Sequence, residues 1–130
     1  PVGAEPQSEK EIIQVPKYSW EVIRDLITDK STLQIVKDED IFYLEDIDLK
    51  VRDYSVEKYS VVADDLETVT GEVLWEKTLE RDGWKVKTYT RTRLTSDKDN
   101  FYIHATLDAH HNDSRVFSKI WNETIPRDHV

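Results

Sequence analysis

The sequence predicts an all-β fold: an antiparallel meander of about six to eight strands, forming one strongly curved sheet or an open half-barrel. Two observations carry this. From Tyr18 onward apolar and polar residues alternate with period two, as in strands that turn one face to a core. Turn-forming clusters interrupt the alternation at "TDKS", "KDED", "ADDLE", "RDG", "SDKDN" and "HNDS". A helix would need apolar residues at i, i+3 and i+4, and no segment sustains that spacing. The nearest case, "YSWEVIRDLIT", is rich in β-branched and aromatic residues and favours a strand.

Residues 1–16 hold three of the four prolines and read as a linker or short edge strand, with "EKEIIQV" as the strand candidate. Residues 17–130 read as a single all-β domain. "YSWEVIRDL" places Trp20 and Val22 on one side, and "STLQIVKD" places Leu33 and Ile35 together. Ile47, Leu49 and Val51 alternate with Asp48 and Lys50. After a break near "RDY", Tyr59 and Val61 continue the pattern.

The clearest hairpin joins "VTGEVLWEKTLE" to "WKVKTYTRTRLT" through Asp82-Gly83. Asp-Gly between alternating runs suits a type I′ turn, which needs positive φ at both central residues. That loop sets Arg81 opposite Trp84, Leu79 opposite Val86, Trp75 opposite Thr90 and Val73 opposite Thr92. On the other face Glu80 meets Lys85 and Glu72 meets Arg93, both opposite-charge pairs. The last two strands, "NFYIHATLDAHH" and "RVFSKIWNETI", join through Asn112-Asp113. The same parity predicts a core face of Val73, Trp75, Leu79, Trp84, Val86, Leu94, Phe101, Ile103, Leu107 and Ile120. A slip of one residue would invert every one of them.

Composition bounds function. Charged residues make up 35% of the chain and hydrophobic residues 38%, so the core is thin or is completed by something else. The formal net charge of −9 argues against nucleic acid and against an anionic membrane surface, both of which need a dense basic face. The longest apolar run, "IFYL", is far short of a membrane-spanning helix, and no signal peptide is recognisable. Cysteine is absent, which excludes disulfides and thiolate metal sites. The compartment stays open, with the cytoplasm favoured over secretion. The chain starts "PVGAEPQSEKE" and has no methionine, as expected of a processed product or a piece of a longer protein.

No residue is predicted to be catalytic, cofactor-binding or metal-ligating. His110 and His111 are adjacent on a strand, point to opposite faces and cannot grip one ion. His104 lies mid-strand, could pair with Trp121 and has no serine or cysteine in an elbow context. The acidic clusters lack the spacing and the turning glycine of a calcium loop and read as solvated turns. The four tryptophans, Trp20, Trp75, Trp84 and Trp121, read as anchors of a core or a domain interface; an exposed stacking platform for a sugar or peptide is the minor alternative.

Four segments carry a resemblance: Trp20 to Leu26 ("W-x-V-x-R-D-L"), Tyr59 to Val61 ("Y-S-V"), Arg93 to Asp97 ("R-L-T-S-D") and Arg115 to Asp128 ("R-V-F-x-K-x-W-x-E-x-I-P-R-D"). Across about residues 18–130 the chain resembles the C-terminal β-rich domain of bacterial acyl hydrolases of the cocaine esterase and X-Pro dipeptidyl-peptidase type. The resemblance implies a non-catalytic accessory domain of a serine acyl hydrolase. Such a domain would brace the enzyme, mediate subunit contacts or shape access to the active site. The family's serine, aspartate and histidine lie in its α/β-hydrolase domain, and no position here matches them. The resemblance implies other domains of the parent hydrolase as partners. The alternatives are a free-standing module holding a small apolar ligand in its concave face, and a small enzyme using His104 with nearby carboxylates.

A sheet without a covering helix leaves an apolar face in water. The isolated chain is therefore expected to form a two-fold dimer through exposed apolar surface or an edge strand, unless the meander closes into a small barrel.

Overall fold

The computed structural model describes Gly3 and residues 10–128. It is all-β, a nine-stranded antiparallel sheet. The strands are β1 (Lys10–Gln14), β2 (Lys17–Asp25), β3 (Lys30–Asp38), β4 (Ile41–Leu44), β5 (Leu49–Val62), β6 (Asp65–Arg81), β7 (Trp84–Ser96), β8 (Asn100–His111) and β9 (Ser114–Pro126). A single 3₁₀ turn, Glu45–Ile47, joins β4 to β5.

The nine strands occupy seven lanes. β3 and β4 lie end to end along one edge of β5, pairing with residues 54–62 and 49–51 respectively. The Glu39 N–H donates to the Asp53 carbonyl at 3.0 Å across the gap between them. β1 and β2 pair with β4 and β3 in the same way. From there each lane pairs with the next in sequence, through β5, β6, β7 and β8 to β9. The six predicted turns fall between strands, and the strand expected in "EKEIIQV" is β1. The rest of the 1–16 linker lies almost wholly outside the described residues.

Four expectations are corrected. The strands number nine, above the six to eight expected, because Pro16 and the Glu39-Asp40 step each break one long lane in two. The sheet is not strongly curled or closed: β9 and the β1/β2 lane remain separate edges. Curvature comes from bulges and glycine kinks placed along strands. Here the bulges, at Ile12/Gln14, Ser60/Val62 and Ala109/His110, lie near strand ends. β5 runs unbroken through "RDY", whereas Ile47 lies in the 3₁₀ turn and not in a strand. Finally, Asp82-Gly83 sets the expected register, but only Gly83 takes positive φ, at 69°. The type I′ pattern belongs to Asn112 and Asp113, at 46° and 69°.

That second hairpin carries one further correction. Its turn pairs His111 with Ser114 and His110 with Arg115; continued regularly, it would set Ile120 opposite Ala105 on the apolar face. A bulge at Val116 shifts the ladder by one. Phe117, Trp121 and Ile125 then oppose Ala109, Ala105 and Phe101, while Ile120 moves to the opposite face beside Thr106. The same shift sets His104 against Asn122 and not Trp121.

The other predicted core positions do share one face. They do not make a closed core. Val73, Leu79, Val86, Phe101, Ile103 and Leu107 are half-buried, and Trp75, Trp84 and Leu94 are exposed. Among the described residues only Ile35, Val51 and Ser55 are buried.

Gly71 sits mid-strand under the Tyr59 ring, where an added Cβ would meet ring carbons at 3.5 and 3.6 Å, ordinary contact distances. Glycine inside a strand costs roughly 0.5–1 kcal/mol relative to alanine. Gly71→Ala is therefore expected to leave the fold intact and raise the thermal midpoint by a few degrees, measured by circular dichroism.

Candidate docking face

Strand pleating sends alternate side chains to opposite faces, so the register divides the sheet into two surfaces of different chemistry. One surface is charged. Across it run Lys87–Glu76 at 2.7 Å, Arg91–Glu72 at 3.3 Å, Arg52–Asp38 at 3.5 Å, and Lys50–Glu80 and Arg115–Asp108 at 3.8 Å each. Glu76 holds the Lys87 ammonium charged above its usual range. Glu80 and Glu72 lie directly opposite Lys85 and Arg93, as predicted, yet their ion pairs run to Lys50 and to the diagonal neighbour Arg91. Long side chains reach across a twisted ladder as readily as straight over it.

The other surface is apolar and carries all four tryptophans. One row across the lanes reads Trp20, Ile35, Glu57, Val73, Thr92, Ala105, Trp121. Trp75 and Trp84 lie on the same face, with Trp75 Nε1 donating to Asp53 at 3.3 Å. Their exposures are 69% for Trp20, 47% for Trp75, 36% for Trp84 and 37% for Trp121. Among the described residues no layer covers them. Nothing in the alternation revealed this, because a buried strand face and an uncovered one have the same period.

The described histidines bring no reactive group together. His104 Nδ1 meets the Asn122 side-chain oxygen at 2.5 Å. His110 packs edge-on against Tyr89, with ring centroids 5.5 Å apart, while His111 takes the opposite face beside Val86. Among the described residues no three His, Asp or Glu side chains converge as metal ligands, and no helix is long and apolar enough to cross a membrane.

Hollows mark the charged face, and two of them differ in character. The apolar one, between Tyr54, Val56, Leu74 and Tyr89, holds about 230 Å³, below the roughly 300–1,000 Å³ of small-molecule pockets. The wider one, about 640 Å³, is an open polar dish around Arg93, Tyr102, His104 and Asn122.

Residues 93–97 and 115–128 meet at one end of the sheet. Asp97 Oδ1 accepts the N–H groups of Asp99 and Asn100 at 2.8 Å, and Oδ2 accepts the Tyr102 hydroxyl at 2.5 Å. These bonds, the tyrosine's above all, hold the Asp97 carboxyl below its usual range; the same carboxylate pushes the Tyr102 hydroxyl up. Arg127 donates to the Asp97 carbonyl at 2.8 Å, its backbone N–H to the Asp99 carbonyl at 2.9 Å, and its guanidinium lies 5.0 Å from the Phe101 ring centre.

Set against known protein families, curated proteins and solved structures, the chain matches none. The reading of its function therefore rests on the uncovered face and the sequence motifs.

Proposed function

We propose that this chain is a non-catalytic packing module, the C-terminal accessory domain of a serine acyl hydrolase, whose apolar face docks on the enzyme's other domains. The observation that carries the reading is the tryptophan-bearing face left open on a single-layer sheet. Exposed apolar patches of this extent mark interaction surfaces. The resemblance names the enzyme class. The meeting of Asp97 and Arg127, one from each of two segments that carry the resemblance, supports it: in this fold those segments act as one structural corner, which suits a bracing role.

A ligand-binding module gains no support from the geometry, since the apolar face is open and not concave enough to enclose a small molecule. Two measurements test the proposal. The purified chain is expected to hydrolyse p-nitrophenyl acetate no faster than buffer; turnover that disappears in His104→Ala would overturn the accessory reading. Sequencing upstream of the Pro1 codon is expected to reveal an in-frame α/β-hydrolase with a G-x-S-x-G-type nucleophile elbow. A start codon immediately before Pro1 would also overturn it.

A further inference from the structure

We infer that in the isolated chain the docking face is taken by a second copy of the same chain, stacked face to face about a two-fold axis with the tryptophan surfaces inward. The inference rests on the reading of that face as a docking surface. Its first support is area. At about 200 Å² per aromatic side chain, the exposed fractions of Tyr18, Trp20, Tyr59, Trp75, Phe117 and Trp121 on this face amount to roughly 600 Å². The aliphatic Val22, Leu94 and Ile125, each more than 40% exposed, add to that. A stable interface needs about 800 Å² per partner. Sheets that pack this way sit about 10 Å apart, close enough for facing side chains to interdigitate.

The second support is charge. The chain as a whole carries −9, which opposes self-association. Its apolar face has a different balance: Arg24, Lys37, Lys77, Arg81 and Lys119 stand there with Asp53, Glu57 and Glu123. A two-fold contact brings a patch onto its own copy, so a patch of mixed sign can match itself, and the acidic excess stays outside the contact. A strongly basic partner would find no complementary field on this face.

The edges are weaker candidates for the same contact. β9 ends on Pro126 and projects Lys119 and Glu123, β1 spans five residues and is interrupted by a bulge, and β2, nine residues long and regular, carries Lys17, Glu21, Arg24 and Asp25 along its length. Short, charged and bulged edges resist pairing.

Adjacent residues of β9 separate face from edge. Trp121 lies on the docking face, and Ile120, 60% exposed, lies on the other. Light scattering after size exclusion, at tens of micromolar, is expected to give twice the 15.3 kDa chain mass. Trp121→Lys is expected to raise the dimer dissociation constant at least tenfold, and Ile120→Lys to leave it within twofold. Equal effects of the two would indicate edge pairing and overturn the face-to-face dimer. A wild-type mass near 15.3 kDa would overturn the dimer altogether. It would leave the hydrolase reading standing, since the esterase assay and the upstream reading frame decide that. Should Trp121→Lys fail to fold, dilution of the wild type serves instead. Tryptophan emission is expected to shift to the red over the same concentrations at which the mass halves; constant emission would refute the inference.

Discussion

Ile35→Ala is expected to cost about 2–5 kcal/mol, the range for removing a buried isoleucine side chain beyond its β-carbon. Ile35 is 6% exposed in a chain whose buried apolar residues, among those described, are itself and Val51. It sits between Trp20 on β2 and Glu57 on β5, so truncation leaves a gap where three lanes meet on the docking face. Domain stabilities run from about 5 to 15 kcal/mol, and a sheet with so little buried apolar surface belongs at the low end. One substitution therefore removes a large part of the total. Urea unfolding at fixed protein concentration should show a lower midpoint with an unchanged slope. Ile27→Ala is the control: Ile27, in the β2–β3 turn, is 96% exposed and should move stability by less than about 0.5 kcal/mol. Equal effects at the two sites would mean that the buried centre of the face is not what holds the sheet.

Arg127→Ala is expected to cost at least about 1–2 kcal/mol, since it removes a hydrogen bond to a carbonyl and a cation–ring contact. The loss should be local. Amide exchange is expected to accelerate at Asn100 and Arg127, whose N–H groups bond Asp97 and the Asp99 carbonyl, while the β5–β6 ladder keeps its protection. Acid should act on the same corner. The Asp97 carboxyl titrates below its unfolded value in the folded chain, so its contribution is fully present above the unfolded value of about 3.9 and is lost as pH falls through the lower folded value. Asp97→Asn should flatten that acid limb. An unchanged limb in the variant would show that Asp97 is not the group responsible.

Much of the fold was legible because local signals fix antiparallel hairpins. The Asp82-Gly83 loop set the β6–β7 register residue by residue, and turn clusters placed the strand boundaries. Legibility failed where geometry depends on a neighbour. A bulge leaves no mark in composition, so Val116 put Ile120 and His104 against unexpected partners. Curvature was overread because period-two alternation describes a strand and not the shape of its sheet. The docking face was half-legible: the tryptophans could be grouped by parity, but whether anything lies over them is settled only by the arrangement of all lanes. The Asp97–Arg127 corner joins residues thirty positions apart through backbone atoms, and no side-chain pattern announces that contact.

The seven lanes have a consequence for cooperativity. Each lane touches only its sequence neighbours, so the sheet behaves as a row of units coupled pair by pair, and its stability is close to a sum of adjacent terms. In such a row the ends open before the middle, and a defect in one lane weakens its flanks without reaching the far side. A body lying across the apolar face would contact several lanes at once and add couplings between units that are otherwise strangers. Covering the face would then do more than add stability: it would turn stepwise fraying from β9 and from the β1/β2 lane into a single, sharp transition.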